Sequence, residues 1–115
     1  MRCIIAGSRD FTDYEKAKGH LDHLFSKRRP YQIVSGGARG ADTLGERYAK
    51  ERNLSLRIFR AAWDLHGNAA GLIRNREMAM NAEALVAFWD GSSTGTKHMI
   101  ETAKQMDLKV RVVRI

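Results

Sequence analysis

The chain alternates short apolar segments with longer amphipathic ones. The apolar segments predict five strands, at about 2–6, 31–35, 55–59, 84–89 and 109–114. Between them, apolar residues recur at helical spacing and predict four helices, at about 13–27, 41–52, 69–81 and 96–106. Thr12 and Glu15 predict a capping box for the first helix, and Pro30, the only proline, follows its end. The pattern therefore predicts strands and helices in alternation.

Two of the predicted strands differ in how apolar they are. Segment 84–89 is continuously apolar, which is typical of a central parallel strand, whereas Leu54, Leu56 and Ile58 alternate with polar residues as at an edge. Parallel strands joined by helices form a sheet that is covered on both faces, with right-handed crossovers. We therefore predict one α/β domain over residues 1–115, with a five-stranded parallel sheet of order 3-2-1-4-5. Strands one and four then meet at the switch point.

Composition mainly excludes certain classes of protein, such as membrane-spanning and disulfide-bonded ones. The chain has 115 residues, 43 % of them apolar, and it contains no run of about 18 apolar residues that could span a membrane. Its N-terminus enters a strand without the basic and apolar regions of a signal peptide. Cys3 is the only cysteine, so we expect no internal disulfide and a cytoplasmic protein. No metal or cofactor is predicted, because no histidine has metal-ligand spacing with a cysteine: His20, His23, His66 and His98.

The formal net charge of +7 leaves two kinds of partner open. One is nucleic acid, bound through its phosphate backbone, and the other is an anionic small molecule. The only basic run, at 27–29, lies at a predicted helix C-terminus, where cations complement the helix dipole. The remaining charges are scattered among acidic residues. The sequence therefore favours the small molecule over nucleic acid, and it leaves homodimerisation open.

Small, glycine-rich loops follow three of the predicted strands, at 7–10, 35–42 and 90–96. The second loop, Ser-Gly-Gly-Ala-Arg-Gly-Ala-Asp, runs directly into a helix, where glycine allows close approach and free backbone N–H groups bind anions. It is neither a Walker A sequence nor a dinucleotide fingerprint. In the predicted topology all three loops share one crevice at the carboxyl ends of the strands. This arrangement favours a phosphate-bearing ligand over three plain tight turns.

The loops supply most of the candidate ligand contacts. These are Gly7, Ser8, Arg9, Ser35, Gly36, Gly37, Arg39, Gly40, Asp42, Asp90, Ser93, Gly95 and Thr96. Arg9 suits an anion clamp, or else an ion pair with Asp10 or Asp42. Asp42 suits a ribose acceptor or general base, or else complements the helix dipole. Thr96 suits a second phosphate contact or a helix N-cap. Trp63 is the candidate for stacking on a base.

Four motifs in order carry a resemblance to a known family. They are Gly7-Ser8-Arg9-Asp10-Phe11, Ser35-Gly36-Gly37-Ala38-Arg39-Gly40-Ala41-Asp42, Gly71 with Arg74-Asn75-x-x-Met78, and Asp90-Gly91-x-Ser93-x-Gly95-Thr96. Over nearly the whole chain the sequence resembles the SLOG superfamily, which includes the DNA-processing protein DprA/Smf and the LOG cytokinin-activating enzymes. It looks closest to the small stand-alone YpsA-related group of bacteria and phages. The resemblance implies a Rossmann-like three-layer sandwich and a nucleotide or nucleotide-derived ligand. It also implies a site role for Arg74; its neighbour Asn75 suits reading a base edge or fixing a loop.

The LOG pattern is incomplete in this chain. LOG enzymes hydrolyse the N-glycosidic bond of nucleoside monophosphates with an Arg-Lys-x-x-Met motif, and acids follow their glycine loop closely. Arg74 matches, but Asn75 replaces the lysine, and the first acid after Gly95-Thr96 is Glu101. The leading hypothesis is a nucleotide-binding domain that senses, carries or processes its ligand. The alternatives are a LOG-like phosphoribohydrolase that uses Arg74 and Glu101 in catalysis, and a DprA-like nucleic-acid-binding module.

Overall fold

The five strands form one parallel sheet of order β3-β2-β1-β4-β5 in the computed structural model, which describes residues 1–115. The strands are β1 (Arg2–Gly7), β2 (Gln32–Ser35), β3 (Ser55–Ile58), β4 (Ala84–Trp89) and β5 (Lys109–Arg114). The helices are α1 (Tyr14–Leu24), α2 (Ala41–Glu51), α3 (Trp63–His66), α4 (Ala70–Met80) and α5 (Thr94–Gln105), with a 3₁₀ turn at Gly67–Ala69. The predicted fold class and strand order are confirmed.

The sheet separates two apolar cores, as a three-layer sandwich requires. Successive side chains of a strand point to opposite faces. In β1, Ile5 therefore packs in the core that α1 and α2 cover, whereas Ile4 packs in the core that α4 and α5 cover. Both isoleucines are fully buried. β1 pairs with β2 on one side and with β4 on the other, so the centre of the sheet lies between the two loops that follow β1 and β4.

Several helix starts differ from the prediction. The capping box of Thr12 and Glu15 is wrong: Asp13 is the N-cap of α1, and its carboxylate accepts a hydrogen bond from the Lys16 N–H at 3.1 Å. A carboxylate is a strong acceptor for the unpaired donors of a first helical turn, so it displaces threonine from this role. Helix α5 begins two residues earlier than predicted, at Thr94.

The segment between β3 and α4 holds the largest difference. The sequence predicts no helix or strand between about 59 and 69, but the structure has the four-residue helix α3 and a 3₁₀ turn there before α4 begins at Ala70. None of the helices is long and apolar enough to cross a membrane. No cluster of three or more His, Cys, Asp or Glu side chains has the arrangement of a metal site.

Candidate functional site

Ser8 joins the three glycine-rich loops at the carboxyl edge of the sheet. Its N–H donates to the Phe88 carbonyl at 2.9 Å, and its hydroxyl accepts from the Asp90 N–H at 3.2 Å. Its carbonyl accepts from the N–H of Ala41, the first residue of α2, at 3.2 Å. The side chain is buried. The N–H, hydroxyl and carbonyl of Ser8 therefore all form hydrogen bonds that hold the loops together. The three loops lie side by side, as the sequence predicts.

Two of the predicted glycine contacts have a packing role. Gly7 has φ +154°, and a Cβ there would clash with the Phe88 carbonyl of β4. Gly40 has φ +77°, and a Cβ there would clash with the backbone of Arg9. Only glycine allows this close approach of one backbone to another. These glycines therefore set the shape of the site by packing loop against loop.

Four arginines line a cavity of ≈ 470 Å³ beside β2 and β3, which we call the basic cavity. They are Arg9, Arg39, Arg60 and Arg74. The remaining lining residues are small or aromatic, and none is acidic: Gly36, Gly37, Ala38, Ala61 and Trp63. The arginines come from four different segments of the chain, so their meeting is a property of the fold. An acid-free cluster of guanidinium groups is suited to a phosphate or carboxylate ligand.

A second cavity of ≈ 630 Å³, the polar cavity, lies on the β4 side and shares Arg9, Trp63 and Arg74 with the basic cavity. Most of its other lining groups are hydroxyl, amide or carboxylate side chains and glycine: Ser8, Asp10, Asn68, Gly71, Asn75, Asp90, Ser92, Ser93, Thr94 and Gly95, with Leu72. Trp63 is 52 % exposed at the boundary of the two cavities. Together they form one crevice above the switch point of the sheet.

Asp42 lies beneath the crevice near Arg74, and the two interact through their charges without forming an ion pair. It is 6 % exposed and lines a small cavity of ≈ 80 Å³. Its Oδ2 accepts a hydrogen bond from the Ala38 N–H at 3.1 Å. Burial raises the pKa of Asp42 to about 6, although the Ala38 amide and the Arg74 charge oppose the shift. Burial also lowers the pKa of the Arg74 guanidinium.

Gly36 separates Asp42 from Arg74. A Cβ at Gly36 would lie 2.9 Å from Asp42 Oδ2 and 3.1 Å from Arg74 Nη1. Arg74 Nη1 also donates to the Gly36 carbonyl at 2.9 Å. The absence of a side chain at Gly36 thus allows the arginine to reach across the loop, which holds the guanidinium at the wall of the basic cavity.

Asn75 of α4 contacts the first turns of α5. Its Nδ2 lies 3.4 Å from the Gly95 carbonyl and 3.1 Å from His98 Nδ1. The side chain is 4 % exposed, and burial lowers the pKa of His98. These contacts hold α4 to α5. Asn75 also lines the polar cavity, so its role in reading a base edge stays a prediction. His98 was not singled out from the sequence, because its spacing to Asn75 crosses between two helices.

The loop after β4 satisfies much of its own hydrogen bonding. Asp90 Oδ1 accepts from the N–H groups of Ser92 at 2.8 Å and Ser93 at 2.9 Å, and these amides lower the pKa of Asp90. Ser93 is the N-cap of α5, since its hydroxyl accepts from the Thr96 N–H. The alternative that Thr96 caps the helix is therefore wrong. Thr96 is buried and lines only the small cavity.

Three predicted residues line none of the three cavities. Ser35 is fully buried, donates to Glu46 Oε2 at 2.7 Å and accepts from the Gly37 N–H. Gly40 packs against Arg9, as described. Glu101 is exposed and lies 4.0 Å from Lys97. The structure thus places Ser35, Gly40 and Glu101 outside the crevice, because their side chains or backbone face the protein core or the solvent.

Arg9 and Arg39 both line the basic cavity but differ in their ion pairs. Arg9 forms no ion pair with Asp10 or Asp42, and instead lines all three cavities. Arg39 has the one ion pair at the crevice, an exposed contact of 3.9 Å to Asp10. Exposed pairs of this kind contribute at most about 1 kcal/mol. Arg39 therefore remains available to an anion in the basic cavity.

Comparison with known proteins agrees with this architecture. The chain belongs to the YspA, cpYpsA-related SLOG family (YAcAr), whose model matches residues 1–66. It is similar to the gene 61 protein of Mycobacterium phage D29, with 37 % identity over 118 residues that cover 95 % of this chain and 93 % of that protein. The predicted membership of the SLOG superfamily is confirmed, and the phage relative fits the predicted bacterial or phage group.

Two solved structures share the fold. DNA processing protein A from Helicobacter pylori, described for its single-stranded DNA binding mode, superposes with a TM-score of 0.73 at 17 % identity, over 97 % of this chain and 64 % of that one. DNA processing protein A (DprA) from Streptococcus pneumoniae gives 0.74 at 16 % identity, over 97 % of this chain and 49 % of that one. The chain thus spans less than two thirds of either protein. These two likenesses show that the chain shares their fold.

Proposed function

We propose that the crevice binds a nucleotide or nucleotide-derived ligand through its phosphate. One observation carries the proposal: four arginines from separate segments converge on a cavity without an acidic lining residue. Guanidinium groups match phosphate oxygens with two parallel hydrogen bonds, and such charge-assisted bonds are about twice as strong as neutral ones. The domain then serves as a sensor, a carrier or a processing unit for that ligand.

The polar cavity supports a nucleoside rather than a bare anion as the rest of the ligand. Its amide and hydroxyl groups suit the hydrogen-bonding edges of a base and a sugar, and exposed Trp63 offers an aromatic face at the boundary. The phosphate would contact Arg74 and Arg9, which border both cavities. Ligands of α/β sheets bind at the same edge, beyond the strand carboxyl ends at the switch point.

The test begins with mass spectrometry of nucleotides that co-purify with the native protein. Calorimetry with the ligand identified then compares Arg74→Ala with Arg28→Ala, which removes the same charge near the amino ends of β4 and β5. Loss of charge-assisted hydrogen bonds should weaken binding by Arg74→Ala about ten- to a hundredfold. Arg28→Ala should bind like the native protein. Equal affinities of the two variants would remove Arg74 from the site.

Single-stranded nucleic acid is the second candidate ligand. The sequence ranked it behind a small molecule, but the Helicobacter pylori protein described for single-stranded DNA binding shares this fold, and the net charge is +7. A stacking aromatic beside a basic groove is also what sequence-independent strand binding uses. Fluorescence anisotropy of a labelled oligo-dT at two salt concentrations tests this candidate. Strong binding that falls steeply with salt and is lost in Trp63→Ala would favour nucleic acid over a free nucleotide.

N-glycosidic hydrolysis ranks third. It needs a carboxylate near the sugar to stabilise an oxocarbenium-like state. Asp42 is buried beneath the crevice, and Glu101 lies outside it. Of the two carboxylates that line the polar cavity, Asp90 accepts hydrogen bonds from the amides of its own loop and Asp10 pairs with Arg39. The arrangement therefore favours binding over this reaction.

A further inference from the structure

We propose that the basic cavity holds a diphosphate group, with one phosphate at Arg74 and the next at Arg60, while the nucleoside extends into the polar cavity. This inference rests on the proposed nucleotide-binding function and narrows its ligand from nucleotides in general to those with at least two linked phosphates. Arg60 belongs to none of the motifs that carry the family resemblance. The second subsite therefore comes from the segment that follows β3.

The position of Arg60 is set by the end of the sheet. Ile58 pairs with Ser35, and the Phe59 N–H continues the ladder by donating to the Ser35 carbonyl at 2.8 Å. Arg60 then stands beside the glycine loop. Its Nη1 lies 3.0 Å from the position that a Cβ of Gly37 would take. The neighbouring strand thus fixes the backbone just before Arg60, and the exposed Arg60 side chain lines the basic cavity.

The Arg60 and Arg74 guanidinium groups flank the same pair of glycines. Arg74 Nη1 lies 3.1 Å from the Cβ position of Gly36, as Arg60 Nη1 lies 3.0 Å from that of Gly37. Consecutive Cα atoms are about 3.8 Å apart. Both guanidinium groups line the basic cavity beside adjacent residues of one loop, which offers each of two linked phosphates its own guanidinium. A single phosphate would engage one of them fully and leave the other partly unused.

The basic cavity keeps positive charge available for an anion. None of the six ion pairs of the protein includes Arg9, Arg60 or Arg74. The nearby Asp42 carboxylate offsets part of the charge of Arg74. No carboxylate lines the cavity itself, so the charges of Arg9 and Arg60 are available to an anion that extends beyond Arg74.

The two cavities are also large enough for the two parts of the proposed ligand, the diphosphate and the nucleoside. Sites for small molecules commonly measure about 300–1,000 Å³. The basic cavity at ≈ 470 Å³ and the polar cavity at ≈ 630 Å³ each lie in that range. Trp63 and Arg74 border both, so a ligand that passes between them stays in contact with the protein.

Inorganic phosphate and pyrophosphate test the subsite without knowledge of the base. Calorimetry with the native protein should show pyrophosphate binding at least about tenfold more tightly than phosphate, since a second set of charge-assisted bonds forms. Arg60→Ala should reduce this ratio to about threefold or less and change the phosphate affinity little. Arg28→Ala, with the same loss of charge away from the crevice, should keep the native ratio. Urea unfolding confirms that each variant is folded.

The outcomes separate this inference from the function on which it rests. Equal binding of phosphate and pyrophosphate to the native protein would overturn the second subsite and leave the nucleotide site standing. A native preference that survives in Arg60→Ala would place the second phosphate elsewhere and also overturn the inference. Binding of neither anion would count against the proposed function itself. Tight binding of oligo-dT without a preference for pyrophosphate would indicate a phosphodiester backbone as the ligand.

Discussion

The buried Asp42 should make the folded protein less stable as the pH rises from acid to neutral. Its pKa moves from the ordinary 3.8 to about 6 in the folded state because burial disfavours the carboxylate. Between these two values the folded state binds a proton that the unfolded state has released, so raising the pH favours unfolding. The change begins near pH 4, and it is complete above about pH 7.

The size of the effect follows from the same two values. One pKa unit corresponds to about 1.4 kcal/mol, so a pKa moved from 3.8 to about 6 lowers the free energy of unfolding by about 3 kcal/mol across this range. A small domain has only about 5–15 kcal/mol of stability in total. The loss is therefore large enough to shift an unfolding midpoint clearly.

The pH dependence of stability can be measured by urea unfolding of the native protein and of Asp42→Asn at several pH values. The buffers should contain no phosphate, so that no anion binds in the crevice. Asparagine keeps the shape of the side chain and an acceptor for the Ala38 N–H, but it does not titrate. The stability of Asp42→Asn relative to the native protein should rise by about 2–3 kcal/mol from pH 4 to pH 7. The comparison cancels other groups that titrate in both proteins, including His98.

Asp90→Asn is the matched control, because the loop amides lower the pKa of Asp90. Its carboxylate contributes stability that is present above pH 4 and lost as the pH falls, which is the opposite sign. A difference between native protein and Asp42→Asn that stays constant from pH 4 to 7 would refute the burial argument. Such a result would mean that water or the Arg74 charge compensates the carboxylate fully.

Other predictions address stability, reactivity and catalysis. Gly40→Ala should cost at least about 1–3 kcal/mol in urea unfolding, because its φ of +77° strains any side chain and the new Cβ meets the Arg9 backbone; native stability would refute the loop-packing role. Burial raises the pKa of the Cys3 thiol to about 12, so a thiol reagent should label it only after unfolding, and rapid labelling of the folded protein at pH 8 would contradict this. Chromatography of nucleoside monophosphates incubated with native protein should show little or no free base, and rapid release that is lost in both Arg74→Ala and Glu101→Gln would favour the glycosidase instead.

The strand order was predictable because burial differs between the strands. β4 is buried from Ala84 to Phe88, whereas alternate residues of β3 are exposed. A strand covered on two faces must be apolar throughout, and an edge strand need not be. The sequence shows this contrast directly, as a continuously apolar segment and an alternating one. It therefore predicts which strand is central and which lies at one edge of the sheet. The position of the crevice then follows from the topology.

The roles of individual loop residues were less predictable, because sequence shows that a residue follows a strand but not which way its side chain points. The Ser35 side chain points inward and donates a hydrogen bond to Glu46, and the N–H and carbonyl of Ser8 form hydrogen bonds with other backbone groups. Asp90 likewise binds the amides of its own loop. Each of these residues is polar because the loops need internal hydrogen bonds. A ligand needs the same residue types, so the two demands look alike in sequence.

Arg60 could not be predicted as a site residue for a different reason. It follows β3, whose loop has no glycine motif, and the next residues show neither helical nor strand periodicity. The short helix α3 arises from tertiary packing: Trp63 rests over Gly71, with its ring 3.5 Å from the position of a Cβ there. One signal was present, because the rule that ligands bind beyond strand carboxyl ends applies to β3 as well as to its neighbours.

The contacts of Ser8 also bear on the order in which a ribosome completes this protein. When residues up to Ile58 have emerged, β1, β2 and β3 can pair, but β1 remains an open apolar edge because its other partner begins at Ala84. Exposed edges of this kind invite aggregation in unfinished chains. The arrival of β4 closes the edge and, through Phe88 and Asp90, gives Ser8 its last hydrogen bonds. The same step thus covers β1 and joins the loops of the crevice, so ligand capture should mark newly made chains in which β4 has joined the sheet.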